Sequence, residues 1–280
     1  MGQRHAGLRL DGFLSALSHE RSLPISRTEW QRRIASGDVT IPGRRAVAPL
    51  RLKEGDRVLV RRRGGYDAPP VLPEEIALDV RHEDPYLAVI VKPAGMLVHP
   101  AYGKPSGTLV NALLARWPGG KPYTVHRLDR DVSGLILVAR DAKTARALSE
   151  AIARKEVERT YRATVAGTVK KESFTILTGL TPEIRVRGVK KRTVMVTTRE
   201  GGQMSKTRVR VLERLLDRTV VEVQLATGRQ NQIRAHLASV GHPILGDTLY
   251  DGPAASALAL TAVRLAFRHP GTGHKMVFEL

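Results

Sequence analysis

The sequence predicts an α+β protein: a mixed, mainly antiparallel central sheet, preceded by a small N-terminal α/β module. Strand-like segments with alternating apolar residues follow one another through the second half of the chain, with few helices between them. The first 60 residues instead combine two helix-like segments with short strands. A stretch rich in proline and glycine separates these two parts, which is typical of a linker.

The N-terminal module is predicted to span residues 1–62. Its first helix is indicated by apolar residues at helical spacing, namely Leu10, Phe13, Leu14 and Leu17. A second helix is predicted behind Ser26–Glu29, which matches a capping box, and Gly37 is placed to end it. Short strands are expected beside the turns at Pro42-Gly43 and Gly55-Asp56.

The linker is predicted at residues 63–78, and a larger domain at residues 79–280. Helices are expected at 108–116, at 141–154 with Asp141 as N-cap, and at 229–240. Alternating apolar residues mark the predicted strands, at Tyr161/Ala163/Val165, Val194/Val196, Val209/Val211, Val221/Val223/Leu225 and Met276/Phe278/Leu280.

The charge balance is the most informative part of the composition. Lys and Arg outnumber Asp and Glu by 46 to 27, a formal net charge of +19. Because such an excess of one charge repels itself, a polyanionic partner is its usual reason, and we expect a nucleic acid rather than a membrane surface. No apolar segment approaches the ~20 residues that span a bilayer, so no membrane association is expected.

Several common chemistries are excluded by the residues present. Cysteine is absent, which excludes disulfides and thiol catalysis and favours a cytoplasmic protein. The nine histidines show no metal-ligand spacing, so no metal is expected. Neither the nucleophile elbow of serine hydrolases nor a phosphate-binding loop is present, since each candidate lacks a required glycine. Of the common catalytic chemistries, the one that remains is catalysis by a carboxylate side chain.

Two polar clusters could carry such chemistry. The first, His126–Asp131, places two acids and three basic side chains between apolar segments. Asp129 in this cluster could be a catalytic carboxylate, or it could cap a turn and pair with a neighbouring arginine. The second, Thr227–Leu237, places Arg229 where a strand turns into a helix, with Arg234 one turn further on. The alternative role of this cluster is phosphate binding at the surface.

Together the two clusters resemble the RluA-type pseudouridine synthases, a family of RNA-modifying enzymes. The family pattern His-Arg-Leu-Asp-x-x-Thr-Ser-Gly-Leu is met by residues 126–135, apart from one position. The resemblance covers about residues 79–280, which it makes the catalytic domain, and residues 8–60 resemble the small RNA-binding domain named after ribosomal protein S-four. Further matching motifs are Lys92–Pro100, Glu158–Ala163, Thr227–Arg229, Gln232–Arg234, His236–Leu237 and Gly241–Asp247.

The sequence departs from the family pattern at two positions. Val132 stands where the family usually has Thr, and Asn231 where it usually has His. Neither is the expected nucleophile. Asparagine can donate and accept hydrogen bonds but cannot titrate near neutral pH, so any role that needs a protonated imidazole at Asn231 is in doubt.

The resemblance implies that a uridine in RNA is isomerised: its base is detached from the sugar, turned over and rejoined through carbon. Nothing is consumed, so no cofactor is expected. Asp129 is then the nucleophile, attacking either the sugar or the base ring, or it stabilises positive charge on the sugar. By the same resemblance Arg229 is its charge partner, which would lower the pKa of the carboxylate. Tyr161, the third catalytic residue, lies against the uracil and is expected to help remove the ring proton. From its alternation with Ala163 and Val165, Tyr161 could instead face the core.

Four arginines are candidate RNA contacts. Arg127 could fill the space that a flipped base leaves, since a guanidinium both stacks and donates hydrogen bonds. Arg27, Arg32 and Arg33 lie away from the apolar stripe of the second N-terminal helix. A solvated helix face explains that pattern as well, but the overall charge favours phosphate contact.

The expected substrate is large-subunit ribosomal RNA, because the two-domain arrangement resembles relatives that act there. Transfer RNA is the alternative target. A catalytically silent RNA-binding or ribosome-assembly factor is a different reading, which the intact run from His126 to Asp129 disfavours. An RNA glycosidase is a further alternative. The protein is expected to be a monomer.

Overall fold

Contacts divide the chain into two units, Met1–Pro70 and Val71–Leu280. The computed structural model describes residues 7–20, 25–61, 71–101, 104–187 and 190–280. Residues 71–78, part of the predicted linker, belong to the larger unit. The Asn111 side chain donates to the Leu72 carbonyl at 2.8 Å, and the Gly107 amide donates to the Glu74 carboxylate at 2.9 Å. The rest of that linker, residues 63–70, lies outside the described residues.

The first unit contains helices α1 (Leu10–Glu20) and α2 (Arg27–Ala35) and the short antiparallel strands β1 (Val39–Thr40) and β2 (Leu59–Val60). The indole of Trp30 donates to the Ser18 hydroxyl at 2.7 Å, so this buried polar group is satisfied. The apolar core is formed mainly by Leu10, Leu14, Trp30, Ile34, Val39, Ile41 and Leu52.

Helix α2 begins where the sequence predicts. The Ser26 hydroxyl accepts from the Glu29 amide at 3.2 Å, which satisfies one of the free donors of the first turn. The Glu29 carboxylate is engaged by Arg32 and Arg33 one turn later. Gly37 follows the helix with a φ of 78°, a left-handed conformation that favours glycine.

In the described part of the second unit, eleven strands form one sheet, in the order β3-β4-β6-β12-β7-β11-β10-β8-β9, with β5 paired to β6 and β13 to β12. The pairs are antiparallel except β6 with β12, which is parallel. The predicted mixed, mainly antiparallel α+β architecture is therefore confirmed. The strands are β3 (Asp79–Glu83), β4 (Leu87–Lys92), β5 (Tyr123–Thr124), β6 (Ser133–Ala139), β7 (Glu158–Ala166), β8 (Ser173–Arg187), β9 (Lys190–Thr198), β10 (Gln203–Arg214), β11 (Arg218–Leu225), β12 (Leu260–Arg268) and β13 (Lys275–Glu279).

Three helices accompany this sheet: α3 (Leu109–Arg116), α4 (Ala142–Ala153) and α5 (Gln232–Ser239). The predicted N-cap of α4 is confirmed, since the Asp141 carboxylate accepts from the Thr144 amide at 2.8 Å. No described helix combines the length and the apolar character that crossing a membrane requires.

Strand β6 is buried on both faces of the sheet, which explains its unbroken apolar run. Successive side chains of a strand point to opposite faces. Ile136 and Val138 accordingly join one apolar cluster, while Leu135 and Leu137 join a second cluster that includes Leu148 of α4. The catalytic-site candidates therefore lie next to the most deeply buried part of the sheet.

Two long strands were not among those predicted. Strand β8 contains Pro182 and many polar residues, which obscures its alternation. Strand β12 has buried residues at both odd and even positions, because Leu260 and Ala262 pack into one apolar cluster and Leu265 and Phe267 into the other. Its apolar pattern does not distinguish a strand from a buried helix.

Candidate active site

A cavity of about 520 Å³ lies in the second unit. Its walls include residues 125–129 before β6, Arg159 and Tyr161 of β7, and residues 225–234, from the end of β11 to the first turn of α5. The two polar clusters of the sequence therefore meet in one cavity. The sheet brings them together because β7 pairs with β11 and β12 joins β6 to β7.

Asp129 lies in a turn that is held by its neighbours. Leu128 and Val132, on either side of it, are buried in the apolar core. The Val132 amide donates to the Asp129 carbonyl at 3.2 Å, and the Gly95 amide donates to the Arg130 carbonyl at 2.8 Å. The carboxylate itself remains accessible from the cavity, with 22% of the side chain exposed.

Lys92 supports the same turn, a role that sequence reasoning missed. It is completely buried at the end of β4, and its Nζ donates to the carbonyls of Pro93, Met96 and Arg130 at 2.8, 2.9 and 3.1 Å. Burial lowers the pKa of Lys92 to about 8. The signal that could have revealed this role is a lysine at the end of an otherwise apolar strand.

Arg234 of α5 is the cation that faces Asp129. Its Nη1 lies 3.7 Å from Asp129 Oδ2. The same guanidinium makes two shorter bonds to the buried Asp247, with Nε at 2.7 Å and Nη2 at 2.6 Å from its oxygens. It also lies over the ring of Tyr250. Arg234 is thus anchored by Asp247 and extends toward Asp129.

The charge partner predicted for Asp129, Arg229, does not make this ion pair. Arg229 is exposed in the cavity wall, and its backbone amide donates to the Gln232 side chain at 3.0 Å. Helix α5 starts at Gln232 rather than at residue 229, because Asn231 before it is left-handed with a φ of 51°. Arg229 therefore lies in the preceding turn, and Arg234 in the first turn of the helix is the residue directed inward.

The pKa of Asp129 is raised, whereas pairing with an arginine was expected to lower it. Burial of the carboxylate is the largest cause, and the negative charge of Asp247 adds to it. The charges of Arg234 and Arg127 lower the pKa but do not outweigh burial. The carboxylate is therefore more basic than an ordinary aspartate.

Tyr161 combines the two roles that the sequence left open. It is 5% exposed and belongs to the apolar core, and it also lines the cavity. Its position is fixed within the sheet by pairing with Val223 of β11 and Ala262 of β12. Burial raises the pKa of the Tyr161 hydroxyl, so this group stays protonated at neutral pH.

The predicted RNA-contacting arginines lie in both units. Arg127 is exposed in the wall of the cavity. In the first unit, Arg27 pairs with Asp11 at 3.2 Å, while Arg32 and Arg33 pair with Glu29 at 3.4 and 3.3 Å. Each of these three arginines therefore already has an acidic neighbour.

Both departures from the family pattern fit their surroundings. Val132 is buried among apolar side chains, where no hydroxyl partner is required. Asn231 adopts the left-handed conformation that asparagine tolerates better than most residues. Neither position needs a titratable group to hold this arrangement.

The cavity thus places the Asp129 carboxylate beside Arg234, together with the buried Tyr161 and further exposed arginines. The described residues contain no cluster of histidine and acidic side chains that could hold a metal ion. The chain belongs to the RNA pseudouridylate synthase family, whose family model matches residues 86–239. It is an RNA pseudouridine synthase of the RluA type, and hence an isomerase.

Individual relatives cover nearly the whole chain. An uncharacterized RNA pseudouridine synthase of Bacillus subtilis, YlyB, is 37% identical over 97% of this chain and 89% of its own length. Ribosomal large subunit pseudouridine synthase D of Xylella fastidiosa is 37% identical over 98% of this chain and 81% of its own. The structure of human RNA pseudouridylate synthase domain containing 1 superposes with a TM-score of 0.59, covering 74% of this chain and 84% of that one at 22% identity, and it supports the fold.

Proposed function

We propose that the protein converts uridine to pseudouridine in large-subunit ribosomal RNA, with Asp129 as the nucleophile. The supporting observation is a carboxylate 3.7 Å from the Arg234 guanidinium, in the cavity that Tyr161 also lines. The target is suggested by relatives named ribosomal large subunit pseudouridine synthase D, such as that of Xylella fastidiosa. Transfer RNA is the alternative target.

In the proposed reaction, the bond between the sugar carbon C1′ and uracil N1 breaks, and its electron pair leaves with the base. The carboxylate of Asp129 either bonds to C1′ or balances its positive charge, as in glycosidases. The base turns over and its C5 bonds to C1′, while any bond between Asp129 and C1′ breaks and its electron pair returns to the carboxylate. The proton on C5 is then lost, and N1 regains one. Because no water is added, a second carboxylate to activate water is not required.

Tyr161 is proposed to bind the uracil with its ring. Its hydroxyl stays protonated because burial raises its pKa, so the phenol serves as a hydrogen-bond donor rather than as a free base. Arg127, exposed in the cavity wall, is proposed to occupy the space from which the uridine has been flipped.

The first unit is proposed to be an S-four-like RNA-binding domain, with residues 79–280 as the catalytic domain. Arg27, Arg32 and Arg33 would contact phosphates on one face of α2. We also propose that the protein is a cytoplasmic monomer, which size-exclusion chromatography and cell fractionation can test.

The experiment that tests this function maps pseudouridines in unmodified, transcribed large-subunit ribosomal RNA after incubation with the protein. The native chain should produce one or a few pseudouridines, while Asp129→Asn should produce none and still bind the RNA. A parallel incubation with transcribed transfer RNA distinguishes the two targets. If Asp129→Asn modified the RNA like the native protein, the assignment of the nucleophile would be wrong.

A further inference from the structure

Two buried nitrogen donors in the cavity wall have no hydrogen-bond partner within the described part of the chain. They are Nδ1 of His126 and Nε of Arg159. Buried donors are normally paired, so an unpaired donor in a native structure calls for an explanation. Both residues line the cavity that contains Asp129 and Tyr161, which suggests that their partner is the substrate.

The neighbours of His126 determine which ring nitrogen carries the proton and whether the ring is charged. The Leu137 amide of β6 donates to Nε2 at 3.0 Å, so the proton of the neutral ring is on Nδ1. Burial and the positive charge of Arg159 lower the pKa of His126 to about 3. At physiological pH the ring is therefore neutral, and its buried Nδ1–H has no acceptor among the described residues.

Arg159 adds a positive charge that no described carboxylate neutralises by an ion pair. It lies on β7, two residues before Tyr161. Burial raises the pKa of Tyr161 and the charge of Arg159 opposes that rise, whereas the same charge adds to the lowering of the His126 pKa by burial. Its guanidinium lies against Gly228, where an added Cβ would be 3.2 Å from Nη1. The glycine of the second polar cluster thus leaves room for this side chain.

We propose that His126 and Arg159 bind a carbonyl oxygen of the target uracil and stabilise the negative charge on that base when it detaches. This rests on the proposed function. When the bond from C1′ to N1 breaks, the electron pair spreads from N1 onto the carbonyl oxygens of the ring. When C5 bonds to C1′, the pair is returned to the new bond and the oxygen loses its charge. Donors fixed where charge develops stabilise the transition state more than the ground state.

Because the two donors are buried, their partner is expected to be the base of the flipped uridine rather than a phosphate. A flipped base enters the pocket, whereas its phosphates stay with the RNA strand outside. Arg127, Lys155 and Arg229 are exposed around the same cavity and are suited to phosphates. His126 Nδ1 and Arg159 Nε are shielded from solvent.

The test uses the full chain with a short RNA that carries the mapped target uridine, under single-turnover conditions with enzyme in excess. Arg159→Met and His126→Gln should each lower the rate about 100-fold, with RNA affinity within a factor of two. Glutamine can still accept from the Leu137 amide but has no donor at the Nδ1 position.

His126→Asn is the matched control: it keeps a donor near Nδ1 and should retain most of the rate, although loss of the Leu137 bond lowers its melting temperature. Arg159→Lys keeps the charge, so its single-turnover rate should lie between those of Arg159→Met and the native protein. It replaces Arg159→Met in the test if that variant does not fold.

A second readout asks whether the donors act on the departing base. The same RNA is prepared with 5-fluorouridine at the target, whose base leaves more easily as an anion, and disappearance of the parent nucleoside is followed after digestion. The rate loss of Arg159→Met and His126→Gln should be clearly smaller on this substrate. An equal loss on both substrates, or weaker RNA binding with an unchanged rate, would overturn the proposal while leaving the proposed function intact. If the native chain made no pseudouridine in any RNA, the proposed function itself would fail.

Discussion

At the scale of single residues, the Arg234 guanidinium faces two carboxylates, one of which lies closer to it than the other. Its bonds to Asp247 are 2.6 and 2.7 Å long, and Asp247 is completely buried, whereas Asp129 lies at 3.7 Å and is reached from the cavity. Asp247 therefore fixes the guanidinium whether or not Asp129 is ionised. The more distant carboxylate stays available for chemistry.

Arg234→Met should destabilise the protein strongly, because it leaves the buried Asp247 without a counter-charge. The expected loss is about 3–5 kcal/mol in the free energy of unfolding, measured by chemical denaturation of the second unit. Arg229→Met is the control: this exposed arginine of the same cavity makes no ion pair among the described residues, and the expected change is within about 0.5 kcal/mol. Equal losses for the two variants would contradict the role assigned to Arg234.

Asp129→Asn should stabilise the protein at neutral pH while removing its activity. The pKa of Asp129 is raised in the folded state, so its ionisation weakens folding as the pH rises through that pKa. Below the ordinary aspartate pKa the native carboxyl is neutral in both states, and the two proteins should be equally stable there. The measurement is the difference in unfolding free energy from about pH 8 down to about pH 3, which passes below the ordinary aspartate pKa. A variant that was less stable throughout this range would show that the ionised carboxylate is net stabilising.

At the scale of elements, the contact of β6 with β12 depends on Gly134. This glycine has a φ of 111°, and a Cβ built on it would lie 2.2 Å from the Ala262 carbonyl oxygen. The parallel pairing joins Gly134 to Ala262 and Ser133 to Thr261. The strand that follows the Asp129 turn can approach β12 only because residue 134 has no side chain.

Gly134→Ala should therefore lower the free energy of unfolding by more than backbone strain alone would. Backbone strain and overpacking together predict a loss of about 3 kcal/mol in unfolding free energy. Gly241→Ala separates the two effects: Gly241 has a φ of 83° but nothing lies within 4 Å of an added Cβ. The Gly241→Ala variant should lose only about 1 kcal/mol of unfolding free energy. A similar loss for both variants would mean that the sheet adjusts around residue 134.

Elements whose signal is local could be predicted from the sequence, whereas contacts set by the sheet could not. Helix α4 follows its N-cap Asp141, and β11 alternates because one of its faces is more buried than the other. The partner of Asp129 was mispredicted because the start of α5 depends on the left-handed Asn231. The backbone conformation of Asn231, which the apolar pattern does not reveal, decides which arginine turns inward.

At the scale of the whole molecule, the net charge of +19 suits binding to a polyanion. In the first unit a buried carboxylate holds part of this charge in place. Asp11 accepts from Arg9, Arg27 and Gln31, at 2.8 to 3.2 Å. The guanidinium groups of Arg9 and Arg27 are about half exposed and thus oriented before any phosphate arrives.

Replacing Arg27, Arg32 and Arg33 together by glutamine should weaken RNA binding and flatten its dependence on salt. The slope of log K against log salt should fall by about 0.7–0.9 for each phosphate that the variant no longer neutralises. The single-turnover rate at saturating protein should stay nearly unchanged. Arg146→Gln, an exposed arginine on α4, is the control. Unaltered binding by the triple variant would contradict an RNA-binding role for this face of α2.

The parallel pairing of β6 with β12 also has a consequence during synthesis of the chain. The Ser133 and Thr261 hydroxyls, hydrogen-bonded at 2.9 Å, are separated by 128 positions. Contacts between such distant positions form late, since a long loop must close first. The cavity around Asp129 can therefore assemble only after β12 has left the ribosome. A nascent chain whose β12 had not yet emerged would therefore lack part of the wall of this cavity.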